Sequence, residues 1–292
     1  MSREYRMTLK KRESLTALLL LLPVLILYTI FYYYPLILSI YFSFTRWNMI
    51  RPPRWVGLRN YIRMFNDRFF LDAVYVTTIY VFSTVLINMI LGLFFALLLN
   101  RPTKLAALTR ALIFLPVVIP EAAAAGTWTI IFAPGPYGYA NYILNRLGIP
   151  AVKWFDDPSL ALLMIIIYSI WKNVGFNTLV LYSALKAIPI EYLESAQVDG
   201  ASDWHISTKI IIPLLKPIIV FLLVTSIITA WQIFGPVYII TKGGPGNATR
   251  VLGIYLYQVA FEEARAGYGS AIAVFLTAVI LVLTIIQIKW LR

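Results

Sequence analysis

Six stretches of this chain, residues 15–40, 73–99, 105–132, 160–185, 214–240 and 270–291, are long and apolar enough to be membrane spans. Each meets the roughly 20 residues that an α-helix needs to cross about 30 Å of hydrocarbon. In hydrocarbon every backbone N–H and C=O must be satisfied inside the protein, so spans of this length are helices. The expected fold class is an all-α integral membrane protein with six transmembrane helices. Composition agrees, since 60% of the 292 residues are hydrophobic and only 13% charged, with a mean hydropathy of +0.78. The longest polar segments, 45–71, 133–159 and 241–269, read as loops with short helices at most. Arg3, Arg6, Lys10, Lys11 and Arg12 precede the first run as in a secretory leader, but the run is too long and lacks a small-residue cleavage site, which predicts an uncleaved anchor.

Several function classes are excluded by what is missing. The chain has no cysteine and a single histidine, His205, so disulfides and thiolate or imidazole metal clusters are ruled out. A net charge of +12 invites nucleic acid, but the basic residues are scattered among loops, and anionic lipid headgroups account for them better. No phosphate-binding loop is present: Gly243-Gly244-Pro245-Gly246 lacks the lysine and the hydroxyl that follow in such loops. The chain is therefore expected to hydrolyse no ATP and to hold no cofactor of its own. Glu121 and Lys172, without a second acid or a nucleophile–base set, do not make an intramembrane enzyme.

Orientation is nearly balanced. Thirteen basic residues fall on the side of the N-terminus, among them Arg101, Lys104, Arg110, Lys186, Lys209, Lys216, Lys289 and Arg292, against eleven opposite, mainly Arg46, Arg51, Arg54, Arg59, Arg63 and Arg68. The first span carries most weight, which places both termini in the cytoplasm and leaves the arginine-rich first outer loop unexplained.

Charged residues at mid-membrane are costly and point to a cavity, a partner or a substrate. Glu121, eleven residues beyond Arg110, lies roughly 16 Å deep, and Lys172, twelve beyond Leu160 from the other side, about 18 Å deep. Pro116 and Pro120 lack amide donors and free the carbonyls of Leu112 and Pro116, so the backbone beside Glu121 must be buried in protein or face a cavity. Two compatible readings stand: an internal Glu121–Lys172 ion pair, or a carboxylate that accepts from a ligand's hydroxyls while a lysine balances it. Asn173 and Asn177 follow at helical spacing, with Gly175 permitting close packing, and Gln232, Phe234 and Tyr238 accompany a kink expected at Gly235-Pro236 on the fifth span. Asn88 and Gln287 read as interhelical glue, and Trp128 as either packing or path.

Between the fourth and fifth apolar runs lies a polar island, residues 187–213. Pro189 suits a first helical turn, and Glu191 and Glu194 favour its N-terminal half. Gly200 stops that helix, and Ser202 caps a second short one over 203–211 that Pro213 ends. The result is a compact knob with Ser195, Ala196 and Gly200 on its surface.

This pattern resembles the EAA loop of permease subunits in binding-protein-dependent ABC importers, which runs Glu-Ala-Ala, a Gly four residues on, then Ile-x-Leu-Pro. Here it reads Glu194, Ser195, Ala196, Gly200, Ile210, Ile212 and Pro213, with Ser for one Ala and Ile for Leu. Shorter motifs in the expected order extend the resemblance to carbohydrate-type permeases, the maltose system's F-type subunit in particular. They are Tyr34-Pro35, Ser43-Phe44-Thr45, Gly57-Leu58-Arg59-Asn60-Tyr61, Asp67, Thr241-Lys242-Gly243-Gly244-Pro245, Ala248-Thr249 and Gly267-Tyr268-Gly269.

The resemblance implies type I importer architecture, with an anchor helix and outer loop over residues 1–71 and the core over 72–292. It implies a second homologous permease, two ATPase subunits that hold ATP and Mg, an external solute-binding protein and a sugar substrate, in a bacterial or archaeal cytoplasmic membrane. Glu121, Lys172, Asn173, Gly175, Asn177, Gln232, Phe234 and Tyr238 would then lie along the substrate path. Glu194, Ser195, Ala196, Asp199, Gly200 and Trp204 would engage the ATPase. Glycerol phosphate, a polyol or an amino sugar are alternative cargoes. An ion-coupled secondary transporter is the rival class, and it would not need the knob.

Overall fold

The computed structural model describes Arg3–Leu291, with side chains from Glu13 to Lys289. The side chains of Arg3, Arg6, Lys10, Lys11, Arg12 and Arg292, which enter the orientation count, lie outside those described. Helix α1 (Arg3–Tyr28) passes through a π-turn at Thr29–Tyr33 into α2 (Tyr34–Ser43). A ribbon of β1 (Thr45–Arg46) and β2 (Arg54–Trp55) follows, then α3 (Arg59–Asn66), α4 (Arg68–Leu98), α5 (Lys104–Val118), α6 (Glu121–Ile131) and α7 (Tyr139–Arg146). Next come α8 (Pro158–Lys186), α9 (Ile190–Val198) and α10 (Asp203–Ile206). A π-turn at Ser207–Ile211 leads into α11 (Ile212–Trp231), followed by α12 (Gly235–Ile240), α13 (Leu252–Tyr257) and α14 (Ala266–Leu291).

Among the described residues five helical runs are long and apolar enough to cross a membrane, and the bent pair α5–α6, counted as one broken span, gives six. The expected spans are thus all present, and the ribbon, with Thr45 opposite Trp55 and Arg46 opposite Arg54, is the sole departure from all-α among the described residues.

Of the prolines that lie within helical runs, Pro35 and Pro213 each follow a π-turn. A proline removes one hydrogen bond and its ring collides with the carbonyl four residues earlier. For Pro35 and Pro213 that carbonyl belongs to Phe31 and Lys209, each in the middle of a π-turn, Thr29–Tyr33 and Ser207–Ile211. The wider turn absorbs the proline, and the helix runs on. The expectation that Pro213 ends a short helix is therefore corrected: the second half of the knob is the beginning of the fifth span, continuous over Asp203–Ile240.

The chain packs as two compact units, one reaching to Asn66 and including Val259–Phe275, the other Asp67–Gln258 with Leu276 onward. In the first, Asn60 Nδ2 donates to the carbonyls of Ser43 and Thr45 at 2.8 and 2.9 Å, and Tyr61 Oη shares a 2.7 Å hydrogen bond with Ser43 Oγ. The Gly267 amide donates to Trp47 O at 3.1 Å, and a Cβ at Gly267 would lie 2.1 Å from Thr45 O, so only glycine fits. The short motifs around residues 43–45, 57–61 and 267–269 are therefore the ties of this unit.

In the second unit α4, α5, α8 and α11 form the bundle, with Ile165, Leu181, Leu222 and Val237 fully buried and Phe82 and Leu86 facing outward as lipid-facing side chains must. Close approach is set by small residues. A Cβ at Gly175 would stand 2.3 Å from Ile113 O on α5, and one at Gly92 2.8 Å from Asn177 Cβ. The loop before α8 is knotted by Asn141, whose Nδ2 donates to Ala133 O and Val152 O while its Oδ1 accepts from Val152 N and Trp154 Nε1.

Candidate functional site: a polar cavity beside a broken helix

Between α5 and α6 the backbone turns through 100°. Pro120 has no N–H to return to Pro116, so the last carbonyls of α5 lose their helical partners at mid-membrane depth. Lys172 supplies the replacement: its Nζ donates to Pro116 O at 2.6 Å, Val117 O at 3.2 Å and Ile119 O at 2.6 Å. An ammonium has three donors, and the negative end of a helix favours a cation there.

The Glu121–Lys172 ion pair, one of the two readings the sequence leaves open, is not formed, since the ammonium is engaged by the carbonyls of the break. Glu121 instead opens α6, where the helix dipole favours a carboxylate. Its side chain is exposed beside Gly235, at which a Cβ would come within 3.2 Å of Oε2.

Glu121 faces a cavity of about 250 Å³ lined largely by three helices. Each contributes polar side chains at four-residue spacing: Tyr80, Thr84 and Asn88 on α4, Ser169, Asn173 and Asn177 on α8, Thr225 and Thr229 on α11, with Ser226 beside them. Tyr80 Oη donates to Ser169 Oγ at 2.9 Å, and Asn173 Nδ2 donates to Ser169 O at 2.8 Å. Asn88, read from the sequence as glue, lines this wall, and its buried Oδ1 has no hydrogen-bond partner. Gln287 Oε1 likewise has none.

Of the eight residues named for the substrate path, Glu121, Asn173 and Asn177 are brought together here. Lys172 holds the break, Gly175 is pressed against α5, and Gln232 ends α11 outside the lining. Phe234 and Tyr238 stack on each other at 5.2 Å and meet Tyr257. Trp128 is buried among Phe132, Tyr168 and Trp171, which makes it packing. The hydroxyls of Tyr80, Thr84, Ser169, Thr225, Ser226 and Thr229 were not named from the sequence. The signal was there as the four-residue spacing, but in isolation each hydroxyl reads as a satisfied helix residue, as the bond from Thr84 Oγ1 to Tyr80 O illustrates.

The knob is built as a helix end of the Schellman kind. Gly200 adopts φ +80°, its amide donates to Gln197 O at 3.0 Å, and the Ala201 amide to Ala196 O at 2.9 Å. Ser202 then caps α10, with its Oγ 3.0 Å from His205 Nδ1. Glu194, Ser195, Asp199, Gly200 and Trp204 are exposed, Trp204 at 75%, whereas Ala196 is buried against the core and does not belong to the surface as expected.

A chain crossing the membrane up to six times, with a polar mid-membrane cavity, no phosphate loop and an exposed helical knob, belongs to the class of multi-pass membrane transport proteins. Residues 68–292 match the family described as binding-protein-dependent transport system inner membrane component, and the chain is a member of it. It is 35% identical over 282 residues to the trehalose/maltose transport system permease protein MalF of Thermococcus litoralis, covering 96% of this chain and 95% of that protein. It is also 35% identical to the sulfoquinovosyl glycerol transport system permease protein SmoG of Agrobacterium fabrum, covering 96% and 91%. Among solved structures, a bacterial ABC transporter involved in the import of the acidic polysaccharide alginate matches with a TM-score of 0.86 at 25% identity, covering 98% of both chains.

Proposed function

We propose that this chain is one of two homologous membrane subunits of an ATP-driven importer that carries a sugar, oligosaccharide or related polyol by alternating access. The observation that carries this reading is the cavity of about 250 Å³ with Glu121 at a helix start and three polar stripes converging on it. Hydroxyls, carboxamides and a carboxylate, with Tyr80 and Phe176 as aromatic surface, are the donor and acceptor set that a polyhydroxyl ligand needs. The volume is small for a whole ligand pocket, which fits a half-site completed by the second membrane subunit. Similarity to permeases named for trehalose/maltose, sulfoquinovosyl glycerol and alginate supports a carbohydrate cargo.

The knob is assigned to the ATPase partners, which hold ATP and Mg; this chain carries no cofactor. Exposed Trp204 and Val198, beside Glu194, offer an apolar anchor with a charge to pair. That role puts the knob and both termini in the cytoplasm and leaves the outer loops to an external solute-binding protein.

The test is sugar uptake in cells carrying Glu121→Ala, Asn173→Ala or Asn177→Ala, with assembly followed by co-purification of an ATPase. Loss of uptake with intact assembly is expected for the three, and near-normal uptake for Gln232→Ala. Full transport in all three, or a chain that purifies without any ATPase, overturns the reading.

A further inference from the structure

The first unit contains a concavity that transport through the bundle does not use. About 690 Å³ in volume, it is walled by Arg46, Arg51, Arg54, Arg59, Arg63 and Arg265 and by no acidic side chain. Arg46 and Arg54 are paired across the ribbon, Arg59 and Arg63 lie four apart on α3, and Arg265 comes from the segment before α14. Among the described residues the one carboxylate within salt-bridge reach of any of these six is Glu263, 2.7 Å from Arg265 Nη1. Arg265 Nη2, on the same guanidinium, is shut off from solvent and has no hydrogen-bond partner.

Six like charges gathered with a single carboxylate beside one of them repel one another, and a concave wall focuses their potential. The scaffold nevertheless holds them together. Asn60, itself part of the wall, ties α3 to the ribbon, and Arg63 and Arg265 pack over the Tyr268 ring at 5.2 and 4.7 Å. Every basic residue in the loop and helix after Ser43, as far as Asn66, is arginine and none is lysine. Arginine's planar fork binds phosphate and carboxylate oxygens two at a time, which a lysine does not do.

We propose that this concavity is an oxyanion site for a phosphate-bearing ligand, whose oxygens the arginine forks take in pairs. The source is either a soluble phosphate ester or the headgroup of an anionic phospholipid, since both present the same oxygens to the same forks. The concave shape favours such a ligand over the flat face of an acidic protein.

The experiment uses the full chain, purified with its accompanying subunits in phosphatidylcholine nanodiscs, and titrates pyrophosphate by calorimetry. Expected is a saturable site that weakens as salt rises. Arg59→Ala combined with Arg63→Ala should weaken it by about ten-fold or more. If the double alanine variant fails to assemble, the Arg59→Lys, Arg63→Lys pair keeps the charge, removes the forks and gives a smaller loss.

Repeating the titration in discs containing phosphatidylglycerol separates the sources. Competition by that lipid, with less of it retained by the variant, assigns the site to a headgroup; unchanged pyrophosphate affinity assigns it to a soluble ester. The proposal fails if pyrophosphate binding is absent or indifferent to the substitutions while lipid retention is indifferent too. It fails equally if the substitutions weaken only the docking of an external protein. No uptake is measured, so the outcome is independent of the transport reading.

Discussion

The chain stops a helix at Pro120 and again at Gly200, and it satisfies the orphaned carbonyls in opposite ways. At Pro120, inside the bundle, a buried ammonium is carried across from α8 to reach three carbonyl oxygens. At Gly200, in the exposed knob, a left-handed glycine lets the backbone bond to itself, and no side chain is spent. The difference is the solvent. Water satisfies whatever an exposed helix end leaves over, while in hydrocarbon an unpaired carbonyl has no alternative but a donor from the protein.

The largest effect should come from removing the buried donor. Lys172→Met takes the ammonium from Val117 O and Ile119 O and leaves Pro116 O only its 3.3 Å bond from the Ile119 amide, and a stability loss of about 3 kcal/mol is expected in unfolding measurements. A loss no greater than that of an outward-facing substitution would break the comparison. Next, Gly175→Val places a Cβ against the backbone of α5, at Ile113 O, and forces α8 away. About 2 kcal/mol should be lost to overpacking. Because residue 175 lies one turn beyond 172, the same change should lower uptake through the loosened break, and normal uptake at reduced stability would separate packing from the site.

At the exposed end, Gly200→Ala meets no neighbour, so its cost is the left-handed backbone alone, about 1 kcal/mol. Crosslinking to an ATPase should suffer more than thermal stability does. The smallest effect is expected at a third helix end, where Asp157 accepts from the Ser159 amide and hydroxyl. Those hydrogen bonds lower its carboxyl below the ordinary value. A depressed acid stabilises above its unfolded value and loses that contribution as pH falls through the folded one, so the change lies below about pH 4. Asp157→Asn should flatten that part of the acid-unfolding curve and nothing else.

The spans, the broken third crossing and the glycine of the knob were legible because hydropathy, proline and left-handed turns are local properties. What Lys172 binds was not, since its partners are 53 to 56 residues away and are main-chain atoms that no side-chain pattern announces. The carboxylate nearby made an ion pair the natural expectation, and the helix break competed successfully for the cation. Gln232 has the right chemistry but stands at the end of α11, one residue beyond the helix whose Thr225 and Thr229 face the cavity. A four-residue stripe identifies the facing side only once the partner helices are known, so the hydroxyl wall emerged from packing. Pro213 was misread because a π-turn has no sequence signature as plain as the proline it accommodates.

That π-turn also preserves an angle. It fits one extra residue into about the rotation of a single α-turn, so deleting one residue from Ser207–Ile211 would restore an ordinary α-turn and leave the downstream face of the fifth span nearly in phase with the knob. Thr225 and Thr229 would still face the cavity, and the cost would fall on Pro213, whose ring would meet the carbonyl that the wider turn holds clear.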